Sequence, residues 1–289
     1  MTAESLEYIL RPESLDARLV IGLTGWMDGG DVSTGTISFL RKELNAVPMA
    51  SIHPTGFYIY NFPGSMEFSA MFRPNTVIEE GLVTEYAPPT NRFFWCARHR
   101  LVLFEGKEPH LDWEGFADCI FSLAETMNVT ALYFLGSYAG VVPHSREPRL
   151  YSTATDSALR DEMSERGFRP SNYEGPAGLA THLLQRAATR DVRMASIVAE
   201  IPAYVQGRNP GSIEAVTLRT AEILGIEIDT EALSESSDAF RREVGKAVSA
   251  RDDLTEMVQK LEAEYDKDFM DVEMGDLKVW LRDQGFEVA

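Results

Sequence analysis

The sequence has 289 residues, 44% of them hydrophobic, and a formal net charge of −18. That charge opposes general binding to DNA, RNA or anionic lipid, and no run of 18 apolar residues offers a membrane span. The opening MTAESLEYILRPESL lacks the basic-then-apolar order of a signal peptide, so cytoplasmic residence is the expectation.

Leu19–Leu23 reads as a short apolar strand, and Val32–Leu44 as a helix with Ile37, Leu40 and Leu44 on one face. Gly56–Tyr60 is expected to be a strand before the Pro63-Gly64 turn. Thr84–Tyr86 and Arg92–Trp95 read as short strands around Pro88-Pro89, and Leu101–Glu105 as another. The two cysteines, Cys96 and Cys119, have apolar neighbours and are expected to be buried thiols, with no disulfide framework. Trp113–Met127 has Phe116, Ile120 and Leu123 at helical spacing. Thr130–Leu135 reads as a strand and Gly136–Pro143 as the loop after it. Asp156–Glu165 and Leu179–Ala188 read as helices, Met194–Glu200 as a strand and Ser212–Leu224 as a helix. Strands and helices in this alternation predict a three-layer α/β core with a mainly parallel sheet.

The composition shifts near Glu231. From there to Glu287 the chain carries 16 acidic and 8 basic residues. Apolar positions between Ala239 and Leu261, continuing through Phe269 and Trp280, predict helices without a regular heptad. The expected organisation is therefore an α/β domain over residues 1–230 and an acidic helical extension over 231–289.

Four loops carry the polar chemistry. In GLTGWMDGGDVSTGT, Gly25 and Gly30 suit close backbone approach, Trp26 offers a packing plate, and Asp28 either caps the next helix or contacts a polar ligand. The loop matches neither GxxxxGK[ST] nor GxGxxG. In GSYAGVVPHSREPR, which opens on Gly136, His144 and Arg146 offer proton transfer and anion binding beyond a strand end, where parallel sheets place ligands. SNYEGPAG supplies Asn172 as a turn former and Glu174 as a carboxylate, with Pro176 at helix entry. AEIPAYVQGRNPGS supplies Glu200 at a strand terminus and Tyr204 as a cleft or interface residue.

Together Asp28, His144, Glu174 and Glu200 form a candidate acid/base constellation. A hydrolase would use it to hold water near a base, with Arg146 or loop amides stabilising developing negative charge. No nucleophile elbow, paired metal-ligand motif or cofactor fingerprint accompanies them, so neither a metal nor a cofactor is expected. The competing reading makes each loop a turn, a cap or an assembly surface.

At these four loops the chain resembles the PAC2 family, named for proteasome assembly chaperone 2. The segments are LTGWMDGG, YFLGSYAGVVPHSREP, NYEGPAGLATHLLQRA and EIPAYVQGRNPGSIEAVTLRTAEILGIEID, spread over roughly Leu19 to Asp229, about three quarters of the chain. With the acidic tail, the chain looks like the actinobacterial branch. The resemblance implies a phosphorylase/hydrolase-like α/β architecture. It also implies the role of the characterised eukaryotic relatives, which assemble proteasomes by binding α subunits. The family supplies no catalytic set to carry over. The ending Gly285-Phe286-Glu287-Val288-Ala289 differs from the C-terminal signal by which some eukaryotic relatives dock. The function expected is a non-enzymatic assembly or interaction factor that binds proteasomal α subunits or other proteins and self-associates, with a trimer as one copy number. The rival is a small-molecule-binding protein or hydrolase, with His144, Glu174 and Glu200 catalytic.

Overall fold

A computed structural model describes residues 5–13 and 16–283, with side chains through residue 270. The chain builds eleven strands: β1 Leu6–Tyr8, β2 Arg18–Thr24, β3 Val47–Ile52, β4 Asn75–Glu79, β5 Leu82–Ala87, β6 Arg92–Cys96, β7 Leu101–Lys107, β8 Ala131–Gly140, β9 Leu150–Ser152, β10 Arg169–Pro170 and β11 Met194–Pro202. Its helices are α1 Val32–Glu43, α2 Met66–Ala70, α3 Trp113–Thr126, α4 Ser157–Glu165, α5 Leu179–Ala188, α6 Pro210–Leu224, α7 Glu231–Ser249 and α8 Asp252–Asp283.

Nine strands form one sheet in the order β1-β3-β6-β7-β2-β8-β11-β9-β10. Its centre, β7-β2-β8-β11, is parallel, and antiparallel pairs join it to both flanks. The alternation of side chains along each strand divides the core in two. Leu19, Ile21, Val102 and Phe104 pack with α3 and α5, whereas Val20, Leu101 and Leu103 pack with α1, α4 and α6. This is the three-layer, mainly parallel α/β arrangement expected. Both cysteines are free and buried, and burial pushes the Cys119 thiol up to about 11.

Two expectations need correction. Gly56–Tyr60 is not a strand. Side chains hold this segment instead of a ladder: the Ile59 amide donates to His110 Nδ1 (3.2 Å), and the Tyr58 hydroxyl sits 2.8 Å from Asn91 Oδ1 and 2.7 Å from the Lys107 carbonyl. Conversely, Gly136–Gly140 is not loop but the end of β8, because β11 runs parallel to it through the pairing of Pro202 with Gly140.

Two features stand off the sheet. Strands β4 and β5 pair only with each other and are exposed along their whole length. At the other end of the chain, α7 packs on α6 and α8 on α7, with Asp268 of α8 reaching Arg149 and Arg169. The predicted tail helix continues through Phe269 as part of α8; the Trp280 side chain and residues 285–289 lie outside the described residues.

Candidate functional site

The parallel strands bring three of the four loops together beyond their C-terminal ends. After β2, the first loop docks on β8: the Ser137 amide donates to the Met27 carbonyl (2.9 Å), and its hydroxyl to the Gly29 carbonyl (2.6 Å). The Gly30 carbonyl then accepts from the Asn209 amide (2.8 Å), which ties this loop to the one before α6. Gly30 has φ +66°, and a Cβ there would lie 2.8 Å from Asn209 Cβ. The contact therefore depends on a glycine. Gly136 is the neighbouring close approach, 3.0 Å from Met27 Cε for an added Cβ.

Asp28 serves α1. Its Oδ1 accepts the Thr34 amide (3.1 Å) and its Oδ2 the Thr34 hydroxyl (2.7 Å). Burial raises its pKa, and the Thr34 hydrogen bonds oppose that shift. Trp26 is 69% exposed, and its ring edge lies beside Gly178. Its amide donates to Glu108 Oε2 (2.8 Å), and the Leu179 amide donates to Oε1 of the same carboxylate (3.1 Å). Glu108 thus joins the first loop to the start of α5. Gly25, at φ +144°, leaves room for it, since an added Cβ would meet Glu108 at 2.8 Å. Sequence reading passed over Glu108 because nothing in its local pattern marks a carboxylate that bridges the amides of residues as distant in sequence as Trp26 and Leu179.

His144, Glu200 and Tyr204 meet in one crevice. The Tyr204 hydroxyl accepts the His144 amide (2.7 Å) and lies 2.8 Å from His144 Nδ1. The same hydroxyl therefore serves both the backbone and the ring of His144. Burial lowers the His144 pKa, with Glu262 pulling the other way. Glu200 is 4% exposed and accepts from the Val141 amide (3.0 Å), with Arg149 Nη1 and the Tyr151 hydroxyl each at 3.4 Å. His144 and Glu200 line the same cavity, which measures only about 20 Å³ and is bounded by Phe240 and Arg241 of α7. That is space for about one water.

The acidic tail holds this crevice shut. Arg146 makes two 2.8 Å hydrogen bonds to Asp266, Ser145 contacts Glu262, and the Tyr265 hydroxyl donates to the Glu147 carbonyl (2.9 Å). Asp268 sits 3.1 Å from Arg149 Nε and 2.7 Å from Arg169 Nη1. Arg149 also stacks on Tyr265, its guanidinium carbon 4.6 Å from the ring centroid. These arginines hold the Asp266 and Asp268 carboxyls below their ordinary range. Arg146 is accordingly committed to the tail in this state. A wider cleft of about 610 Å³ runs between α6, β9 and the tail and includes neither His144 nor Glu200 in its lining.

Asn172 and Glu174 are exposed and make no side-chain hydrogen bond among the described residues. Their loop rejoins the others only at Gly178, beside Trp26 and Glu108. The proposed constellation of four therefore contracts to one pair, His144 and Glu200. Among the described residues, no three His, Cys, Asp or Glu side chains cluster as a metal ion would need.

The mainly parallel sheet with helices on both faces, three of its loops gathered beyond the strand ends and two helices after it, defines a three-layer α/β protein. The chain belongs to the PAC2 family, whose profile matches residues 22–248. Its fold is similar to a Mycobacterium tuberculosis proteasome-assembly chaperone homologue, at 24% identity and TM-score 0.73 over 83% of this chain and 99% of that one. A second M. tuberculosis protein, of unknown function, aligns at 21% identity and TM-score 0.81 over 96% of this chain and 94% of its own. An archaeal proteasome activator from Pyrococcus furiosus aligns at 20% identity and TM-score 0.62, covering 84% of this chain and 97% of its own. No curated protein matches the sequence. No helix among the described residues is long and apolar enough to cross a membrane.

Proposed function

We propose that this chain is a cytoplasmic protein-interaction factor of the proteasome-assembly-chaperone kind, and that it acts through its surface rather than through catalysis. The observation that carries this reading is the β4–β5 arm. Ile78 is 62% exposed, Leu82 70%, Val83 65% and Tyr86 59%, and Met66 and Met71 at its root are 81% and 71% exposed. Ile78 and Val83 pair across the strands on one face of the arm, and Leu82, opposite Glu79, lies on the other, so both faces expose large apolar side chains. A soluble chain leaves such a surface open mainly where another protein covers it. The family and the archaeal activator and assembly-chaperone relatives make proteasomal α subunits the partner proposed.

The crevice supports the same reading. A cavity of about 20 Å³ beside His144 cannot take a substrate while α7 and α8 are seated. A hydrolase using His144 and Glu200 would first have to release the tail.

Co-purification with isolated proteasome α subunits tests the proposal. The full chain is expected to retain them, and Ile78→Asp with Leu82→Asp to lose them while unfolding at the same temperature. No complex with the unmodified chain, or full retention by the double variant, would overturn it. We extend the proposal to self-association, a trimer included. Light scattering of the full chain and of a chain ending near Asp229 reads this directly, and monomer masses for both would exclude it.

A further inference from the structure

A second polar cavity opens where β2 and β7 end, away from the His144 crevice. It measures about 240 Å³, and its lining includes Thr24 and Lys107 from those strand ends, Thr34 of α1, and Arg73, Asn75 and Thr90 from the two roots of the arm. β2 and β7 are parallel, with Thr24 paired to Lys107, so the cavity sits beyond strand C-termini. Parallel sheets receive small ligands there.

The charge of this cavity runs against the charge of the chain. Acids outnumber bases 45 to 27 overall. Yet neither Arg73 nor Lys107 makes an ion pair among the described residues. Lys107 Nζ instead lies 6.0 Å from the centroid of the Tyr58 ring. The carboxylate on the wall, Glu105, is matched by Arg41, whose Nη1 is 3.0 Å from Glu105 Oε2. The cavity is left with two uncompensated cations. Neutral donors accompany them: the Thr24 and Thr90 hydroxyls and the Asn75 amide make no side-chain hydrogen bond among the described residues, while Thr34 is committed to Asp28.

Two cations with hydroxyl and amide donors suit an oxyanion of two charges better than a monocarboxylate. The volume lies below the range of drug-sized pockets, about 300–1,000 Å³. We propose that this cavity binds a compact phosphorylated small molecule by its phosphate group, with Arg73 and Lys107 as the charged partners and Thr24, Thr90 and Asn75 as donors. The site touches none of the His144 crevice, and its occupancy requires no proteasome subunit. The arm's two roots form part of its wall, so a bound phosphate would also tie the arm to the core.

Isothermal titration of the full chain with inorganic phosphate, at constant ionic strength set by sodium chloride, tests this, with sodium acetate as the monocarboxylate arm. Saturable single-site phosphate binding is expected, with acetate weaker by about tenfold or more. Arg73→Gln and Lys107→Met should each weaken phosphate by about tenfold, and the exposed Arg251→Gln should leave it unchanged. Lys107→Met keeps the apolar stem; if it nevertheless fails to fold, Arg73→Gln, at the arm's root, carries the test. Absence of saturable phosphate binding, equal binding by Arg73→Gln, or tighter binding of acetate would overturn the assignment.

Discussion

At the residue scale, Tyr204 is the most informative position in the crevice. One hydroxyl serves both the amide and the ring of His144, at 2.7 and 2.8 Å, in a half-buried setting. Tyr204→Phe leaves both groups without that partner, a loss of about 1–3 kcal/mol. For a domain of this size each kcal/mol moves the melting temperature by about 2–4 °C. Glu174→Gln changes an exposed side chain that makes no hydrogen bond among the described residues, so it should fall within about 0.5 kcal/mol of the parent. Thermal unfolding of the two variants checks this. Equal melting temperatures would mean that the Tyr204 hydroxyl does not organise the loop. The contrast also shows where sequence reading reaches its limit. His144 and Glu174 looked alike as polar residues on glycine- and proline-rich loops. Only the register of β8 against β11 separates them, by carrying Glu200 to Val141 and the segment after β11 to His144.

At the element scale, most of the α/β core was legible because its periodicities are strong. Leu19–Leu23 has the continuous apolar run of a buried parallel strand, and Leu179–Ala188 has a helical face; both were found in place. β3 was passed over because Pro48 interrupts it, and β9 and β10 because strands of three and two residues carry no pattern. The tail was legible as helix, but its docking was not, since Arg146, Arg149 and Arg169 lie about 100–120 positions from Asp266 and Asp268 and no local pattern couples them.

That docking has a pH dependence. Both aspartates are held below the ordinary 3.8, so the unfolded or undocked state binds protons first as the solution is acidified. Their contribution is complete above that value and is lost as pH falls through the lower docked values. His144, lowered from 6.5 by burial, has the same sign and begins to act at higher pH. Asp28, raised by burial, has the opposite sign and favours the folded state on acidification. Hydrogen exchange corrected for intrinsic rates should therefore show α8 protected at pH 7 and losing protection below about pH 4, before β2 and β8 do. High salt should shift the loss to higher pH. Protection of α8 that persists unchanged to pH 3 would contradict the ion-paired clamp.

At the scale of the whole molecule, the chain presents one closed region and one open one. Its crevice is walled by Phe240 and Arg241 of the acidic tail, which charge pairs from α8 tie to the core, whereas its arm leaves apolar side chains in solvent. Burial of each such side chain by a partner contributes about 1.5–3 kcal/mol in transfer terms, against the entropy lost on association. The four most exposed large apolar side chains of the hairpin would therefore dominate a contact, and charged substitutions there should act on binding while sparing the fold. Native mass spectrometry of the full chain mixed with isolated proteasome α subunits is the most direct measure of the account. It predicts a discrete complex of fixed stoichiometry that Ile78→Asp with Leu82→Asp abolishes and Glu174→Gln preserves; α subunits that retain their own mass in the presence of the full chain would contradict it.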